Sequence, residues 1–227
     1  ISLLFLLYIW SSLFVFSDNL LPYPQKIKYK GGAFIRTVDE SCYCDNIIDS
    51  NIDLLLGNKL KVEYTSNNSF LNNYEESYLI DVDEDVVIKS ESEVGVYYAY
   101  QTLKQLIRYE KGRIIIPKCE IYDWPAFRVR GFMHDIGRSY IPVSELKKQI
   151  KYLSHFKINV FHWHLTENQA WRLQSMKYPE LNYTQNMTRQ KGKYYTLDEA
   201  KDLNEFCKKH HVLLIPEIDM PGHSSAF

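Results

Sequence analysis

The sequence predicts a two-part α/β chain, a small α+β domain followed by a parallel α/β domain. Three observations carry this. Residues about 20–123 hold short alternating β-type runs that close on one amphipathic helix. From Phe127 onward the order becomes strand, helix, strand, helix, strand, which is economically met by a parallel sheet with right-handed crossovers. Between the two, Asp123-Trp124-Pro125 marks a boundary, because the residue before a proline is pushed out of the helical region. The expected domains are therefore 18–123 and 124–227, behind a leader at 1–17.

The leader is expected from Ile1 to Phe16, which carries no charge and is rich in Leu, Phe, Ile and Trp. It is short for a membrane span, which needs about 20 residues, and fits the apolar core of a secretory signal cleaved after Ser17. An uncleaved signal anchor is the other reading. After cleavage no membrane association is expected. Three sequons, at Asn67, Asn182 and Asn186, point to glycosylation in the same compartment, lysosomal or secreted. Four cysteines, Cys42, Cys44, Cys119 and Cys207, suit an oxidising lumen, and at least one disulfide is expected from Cys42 or Cys44. The pair at 42 and 44 lacks a second pair at zinc-finger spacing, so no structural zinc is expected.

Composition narrows the function classes. Of 227 residues, 45% are apolar and 24% charged, which excludes a disordered chain. Lys plus Arg is 27 against Asp plus Glu at 28, a net charge of −1, so there is no positive field to gather nucleic acid. The chain opens on Ile and closes just past a strand-like run, and both ends read as cut from a longer protein.

In the first domain the strand runs are Lys59 to Tyr64, Ser77 to Val82 and Val86 to Lys89, with Ile114 to Ile116 as a later strand. The helix covers about Ser92 to Ile107, with Val96, Ala99 or Tyr100, Leu103 and Leu106 or Ile107 at helical spacing. In the second domain, Val129 to His134 reads as a strand and Ser144 to Lys157 as a helix with Leu146, Ile150, Leu153 and Phe156 on one face. Ile158 to Leu165 reads as a strand apolar on both sides. Thr196-Leu197-Asp198-Glu199 is a capping box opening the next helix, and Val212 to Ile218 is a third strand.

Each of these three strands ends in polar residues, where working groups gather in parallel barrels. The ends are His134-Asp135-Ile136-Gly137-Arg138, then His162-Trp163-His164-Leu165-Thr166-Glu167-Asn168, then Glu217-Ile218-Asp219-Met220-Pro221-Gly222-His223. His162 and His164 lie two apart on a strand and share a side, as core imidazoles or metal ligands. Glu217 and Asp219 make a similar pair. Glu167 and His223 lie just past their strands and are the candidates to touch a substrate. Trp124, Trp163 and Trp171 read as packing residues rather than sugar platforms.

These three segments, in this order and spacing, resemble the β-N-acetylhexosaminidases of glycoside hydrolase family 20. Gln101 to Leu106, followed by Ile121-Tyr122-Asp123-Trp124-Pro125, resembles the join between that family's non-catalytic N-terminal domain and its barrel. The resemblance implies the first part of a (β/α)8 TIM barrel. It implies retaining removal of terminal N-acetylglucosamine or N-acetylgalactosamine from glycans, with no metal and no cofactor. The nucleophile is then the substrate's own 2-acetamido group, so no protein nucleophile is involved. It assigns Arg138 to the sugar hydroxyls, and Glu167 with His223 to the network that supports the acid/base. Glu167 stands where many members carry Asp, and Asn168 where many carry a second acid.

The family's Asp-Glu pair after His-x-Gly-Gly is absent. Asp39-Glu40, Asp83-Glu84 and Asp198-Glu199 all lack that context. The chain by itself is expected to be inactive, and a homodimer of the full-length enzyme is left open. Two rivals stand beside this reading. One is a sugar-binding relative without catalysis. The other is an amidohydrolase-type barrel with His162 and His164 as metal ligands, against which those residues fall on the second strand of the domain rather than the first.

Overall fold

A computed structural model describes residues 20–39, 46–65 and 75–226. The leader, Asn67, Cys42 and Cys44 lie outside those residues. The chain divides between Ala126 and Phe127 into two compact units.

The first unit is a mixed sheet with one long helix. In chain order it contains β1 (Lys26–Thr37), α1 (Ile52–Leu56), β2 (Leu60–Tyr64), β3 (Tyr78–Val82), β4 (Val86–Ser90), α2 (Glu93–Leu106), β5 (Arg108–Glu110) and β6 (Arg113–Asp123). The sheet order is β1-β6-β3-β4-β2, with β5 also on β6. Only the β2–β4 pair is parallel. Strands β3 and β4 alternate inward and outward residues, so Ile80, Val82, Val86 and Ile88 pack beneath α2 with Tyr98, Ala99 and Leu103. Ser92 caps α2 by accepting from the Gly95 amide, and this is where the sequence places its start.

Two elements of this unit differ from the sequence expectation. β1 is twelve residues long and was not anticipated, because most of it is exposed and carries no apolar alternation. β6 runs on to Asp123, straight through Pro117. Between the pairs Tyr29↔Cys119 and Ala33↔Pro117 the register slips, and Gly31 (φ 82°) and Gly32 (φ 79°) take up the excess. The resulting bulge lies next to a residue with no N–H to offer.

The second unit is a three-stranded parallel sheet, with its second strand in chain order in the middle, covered by two helices. Its elements are β7 (Gly131–Asp135), α3 (Val143–His155), β8 (Val160–His164), the hairpin β9 (Thr166–Glu167) and β10 (Ala170–Trp171), α4 (Leu197–Lys209) and β11 (Leu213–Glu217). The capping box at α4 forms as expected: the Glu199 amide donates to Thr196 Oγ1, and the Glu199 carboxylate accepts from the Thr196 amide. Phe161 and Trp163 pack with Leu146, Ile150, Leu203 and Cys207 of the helices. β8 is therefore not apolar on both sides. Phe161 and Trp163 join the helix layer, whereas His162 and His164 point to the opposite face, which the strand's period of two requires. Val129 lies before β7 and is exposed.

Cys119 and Cys207 are free thiols, each buried in its own unit, so neither forms the expected disulfide with Cys42 or Cys44. Burial pushes both thiols up to about 12. Among the described residues no helix is long and apolar enough to cross a membrane.

Candidate functional site

Register builds the site. Asp135 pairs with His164 and His164 with Glu217, so three polar side chains form one row across the ends of β7, β8 and β11. One pleat earlier, His162 occupies the same face. Both imidazoles converge on one carboxylate oxygen: Glu217 Oε2 is 2.6 Å from His162 Nε2 and 2.9 Å from His164 Nδ1. His164 is the main influence holding the Glu217 carboxyl below its usual pKa, against partial burial and with help from His162. The Glu217 carboxylate thus lies against two imidazoles on one face of the sheet.

Past the strands, the loops bring together three residues that are far apart in sequence. Arg138 Nη2 lies 2.6 Å from Glu167 Oε1, and His223 Nδ1 lies 2.5 Å from the same oxygen. Glu167 Oε2 accepts from the Asn168 amide at 2.8 Å. Burial of Glu167 would raise its pKa, but the Asn168 amide, Arg138 and His223 outweigh it and hold the carboxyl below the ordinary range. The exposures are unequal: 2% for the Glu167 side chain, 54% for Arg138 and 43% for His223. Glu167 is thus a buried anchor, while Arg138 and His223 are the groups open to a ligand.

Each member is held by its own loop. Asp135 accepts from the Arg138 amide at 3.0 Å and lies 3.2 Å from its Nε, so the guanidinium is gripped from two sides. His223 sits at φ 52°, a left-handed conformation that costs a side-chain-bearing residue about 1–3 kcal/mol and is kept only where the surroundings impose it. Those surroundings include two further ties to the β8 loop: the Asp219 amide donates to Thr166 Oγ1 and the Ser225 amide to Asn168 Oδ1. The amide oxygen of Asn168 thus works as a loop anchor where a second acid was the family expectation.

The remaining sequence candidates separate from this cluster. His134 points the other way, with Nδ1 2.8 Å from Gln149 Oε1 on α3 and its ring against Phe132 and Phe161. Trp163 is buried, as a packing residue should be. Asn182 and Asn186 lie in the excursion between β10 and α4, where their side-chain amides donate to Leu173 O and Glu180 O. Arg172, which sequence reading passed over, is fully buried in the same excursion.

Two sets of side chains could ligate a cation. Asp135, His164 and Glu167 form one, and His164, Glu217 and Asp219 the other, with ligand atoms within 4.8 Å of one another. The carboxylates of these sets already face positive or imidazole partners, Arg138 and His223 at Glu167 and His162 and His164 at Glu217.

Comparison with known proteins gives the same direction from both units. Residues 127–227 match the catalytic domain of glycosyl hydrolase family 20, and residues 45–124 match domain 2 of that family. The β-hexosaminidase of Porphyromonas gingivalis is 40% identical over 166 residues, covering 67% of this chain and 21% of that protein. The β-hexosaminidase of Vibrio furnissii is 33% identical over 168 residues, with 67% and 27% covered. The chain therefore spans about a quarter of the length of these relatives. Among solved structures, the exo-β-N-acetylglucosaminidase of Vibrio harveyi in complex with N-acetylglucosamine aligns with a TM-score of 0.75 at 29% identity. That alignment covers 91% of this chain and 37% of the other. The β-N-acetylhexosaminidase of Bacteroides fragilis aligns at 0.76 and 28%, covering 92% and 47%. With one family model on each unit and hexosaminidases on every side, the chain belongs to glycosyl hydrolase family 20, carrying its domain 2 and the opening strands of its TIM-barrel catalytic domain.

Proposed function

We propose that the protein to which this chain belongs is a retaining exo-β-N-acetylhexosaminidase that removes terminal N-acetylglucosamine or N-acetylgalactosamine from glycans. The observation that carries this is the convergence of Arg138 and His223 on the buried carboxylate of Glu167 at three adjacent strand ends. A guanidinium is a rigid fork of donors and suits two neighbouring sugar hydroxyls. Glu167 and Asp135 hold that fork in place, and Glu167 orients the His223 ring, whose Nε2 lies 4.0 Å from Asp219 Oδ2 and would face the acid/base carboxylate from there.

The reaction runs through the substrate's acetamido oxygen. It bonds to the anomeric carbon as the glycosidic C–O bond breaks, and the departing oxygen takes a proton from the acid/base. Water, deprotonated by the same carboxylate, then opens the oxazolinium ion with net retention. Tethering the nucleophile to the reacting sugar supplies the proximity advantage. No metal or organic cofactor enters these steps. The acid/base Glu and its neighbouring Asp, which the family carries after His-x-Gly-Gly, do not occur within these 227 residues.

The test is to sequence the transcript beyond Phe227 and assay the complete protein with 4-nitrophenyl N-acetyl-β-glucosaminide and galactosaminide. His-x-Gly-Gly-Asp-Glu downstream together with turnover supports the proposal. Sugar binding without turnover, with that Glu replaced, makes the protein a binding relative instead. We also place the protein in the secretory pathway, lysosomal or secreted, from the uncharged Ile1–Phe16 segment and the sequons at Asn67, Asn182 and Asn186. A mobility shift on enzymatic deglycosylation checks this, and size-exclusion chromatography checks a homodimer.

A further inference from the structure

Arg172 has no exposed surface, yet among the described residues no carboxylate neutralises it. A bare buried charge is expensive, so its partners must be good ones. They are main-chain carbonyls. Nε donates to Gly137 O at 3.3 Å, Nη1 to Gln190 O at 3.0 Å and Lys193 O at 2.7 Å, and Nη2 to Arg189 O at 2.8 Å. The Arg172 amide also donates to Leu165 O at 3.0 Å, and its carbonyl accepts from Tyr195.

These bonds reach both loops of the candidate site. Gly137 immediately precedes Arg138, and Leu165 lies two residues before Glu167. The same two loops are joined directly, since the Ile136 and Gly137 amides both donate to His164 O. Gln190 adds a second strap, accepting from the Tyr140 amide at 2.5 Å and donating to Tyr140 O at 3.3 Å. Residues 187–193 contain no helix or strand, so these polar anchors, together with the buried Met187 side chain, hold the segment.

We propose that Arg172 is a positioning residue for Arg138. By fastening residues 189–193 to the end of β7 while its own main chain is bonded to the end of β8, it sets the spacing at which Arg138 meets Glu167. A lysine cannot reproduce this, because a point charge does not span carbonyls on two sides. The proposal rests on Arg138 being the sugar-binding fork.

The experiment uses the complete protein with Arg172→Lys, Arg172→Met, Gln190→Ala and, for reference, Arg138→Ala. It records kcat and KM together with amide hydrogen exchange. In Arg172→Lys, kcat/KM is expected to fall on the order of tenfold, mostly through KM, with faster exchange at residues 136–140 as well as 187–193. Exchange that quickens only at 187–193, with KM unchanged, overturns the proposal. If Arg138→Ala leaves KM unchanged, the sugar-binding reading fails, and exchange at 136–140 alone then decides whether Arg172 holds that loop. Should Arg172→Met not fold, Arg172→Lys and Gln190→Ala carry the same test.

Discussion

Arg138 and Glu167 meet at 2.6 Å across two loops that follow different strands, the arginine half exposed and the glutamate sealed beneath it. The geometry separates their tasks. Glu167 has no surface to offer a ligand, and Arg138 keeps donors free because its partners, Glu167 and Asp135, engage only part of the fork.

Arg138→Ala in the complete enzyme is expected to lose the equivalent of one charge-assisted contact to a sugar hydroxyl, about 1.5–3 kcal/mol, and so roughly 10- to 150-fold in kcat/KM. The variant should fold, with a lower melting temperature because the buried Glu167 carboxylate loses one of its partners. Steady-state kinetics on a folded variant decide this. An unchanged kcat/KM rejects the role.

Glu167 contributes to the acid limb of stability, beside Glu217, Asp83 and Asp85, whose carboxyls are also lowered. The folded pKa of Glu167 lies below the ordinary 4.5, so the unfolded chain binds the proton more readily. The stabilisation is therefore present above the ordinary value and is lost as pH falls through it toward the folded value. Thermal melts between pH 7 and 3 should show a shallower acid decline for Glu167→Gln than for the parent protein. Glu217 is shifted in the same direction and keeps part of the slope in both. Equal slopes would contradict the assignment.

Gly137 is needed for space. A Cβ there would stand 2.8 Å from Glu167 Cβ and 2.9 Å from the Thr166 carbonyl carbon, closer than real contacts allow. Gly137→Val should cost about 1–3 kcal/mol through overpacking and weaken sugar binding by pushing the Arg138 and Glu167 loops apart. Gly222→Ala, where a Cβ meets nothing within 4 Å, is the control and should melt as the parent does. Calorimetry of the two variants side by side distinguishes steric from general effects.

The thiols of Cys119 and Cys207, pushed up to about 12, should resist alkylation in the native protein at pH 8 and react once denaturant is added. Mass mapping of iodoacetamide adducts reads this residue by residue. Native labelling at Cys207 would show that the packing beneath α4 opens.

By itself the sequence determined the elements whose burial follows one period. α2, α3 and α4 are marked by apolar residues at helical spacing, α4 also by its capping box, and β3, β4, β8 and β11 by apolar runs bounded by turns. It also placed Arg138, Glu167 and His223 at strand ends, because polar residues directly after a buried strand have few other uses. β1 escaped notice because an exposed strand with a glycine bulge has no period to read. Only the tertiary structure decided which partners meet. Sharing of Glu217 by His162 and His164 depends on the register of β8 against β11, which pairing between strands sets and neither strand encodes alone. Arg172 reads as one more arginine until the fold surrounds it with carbonyls from residues 17 to 35 positions away. Contacts over such distances are made by chain closure, and no local pattern in the sequence records them.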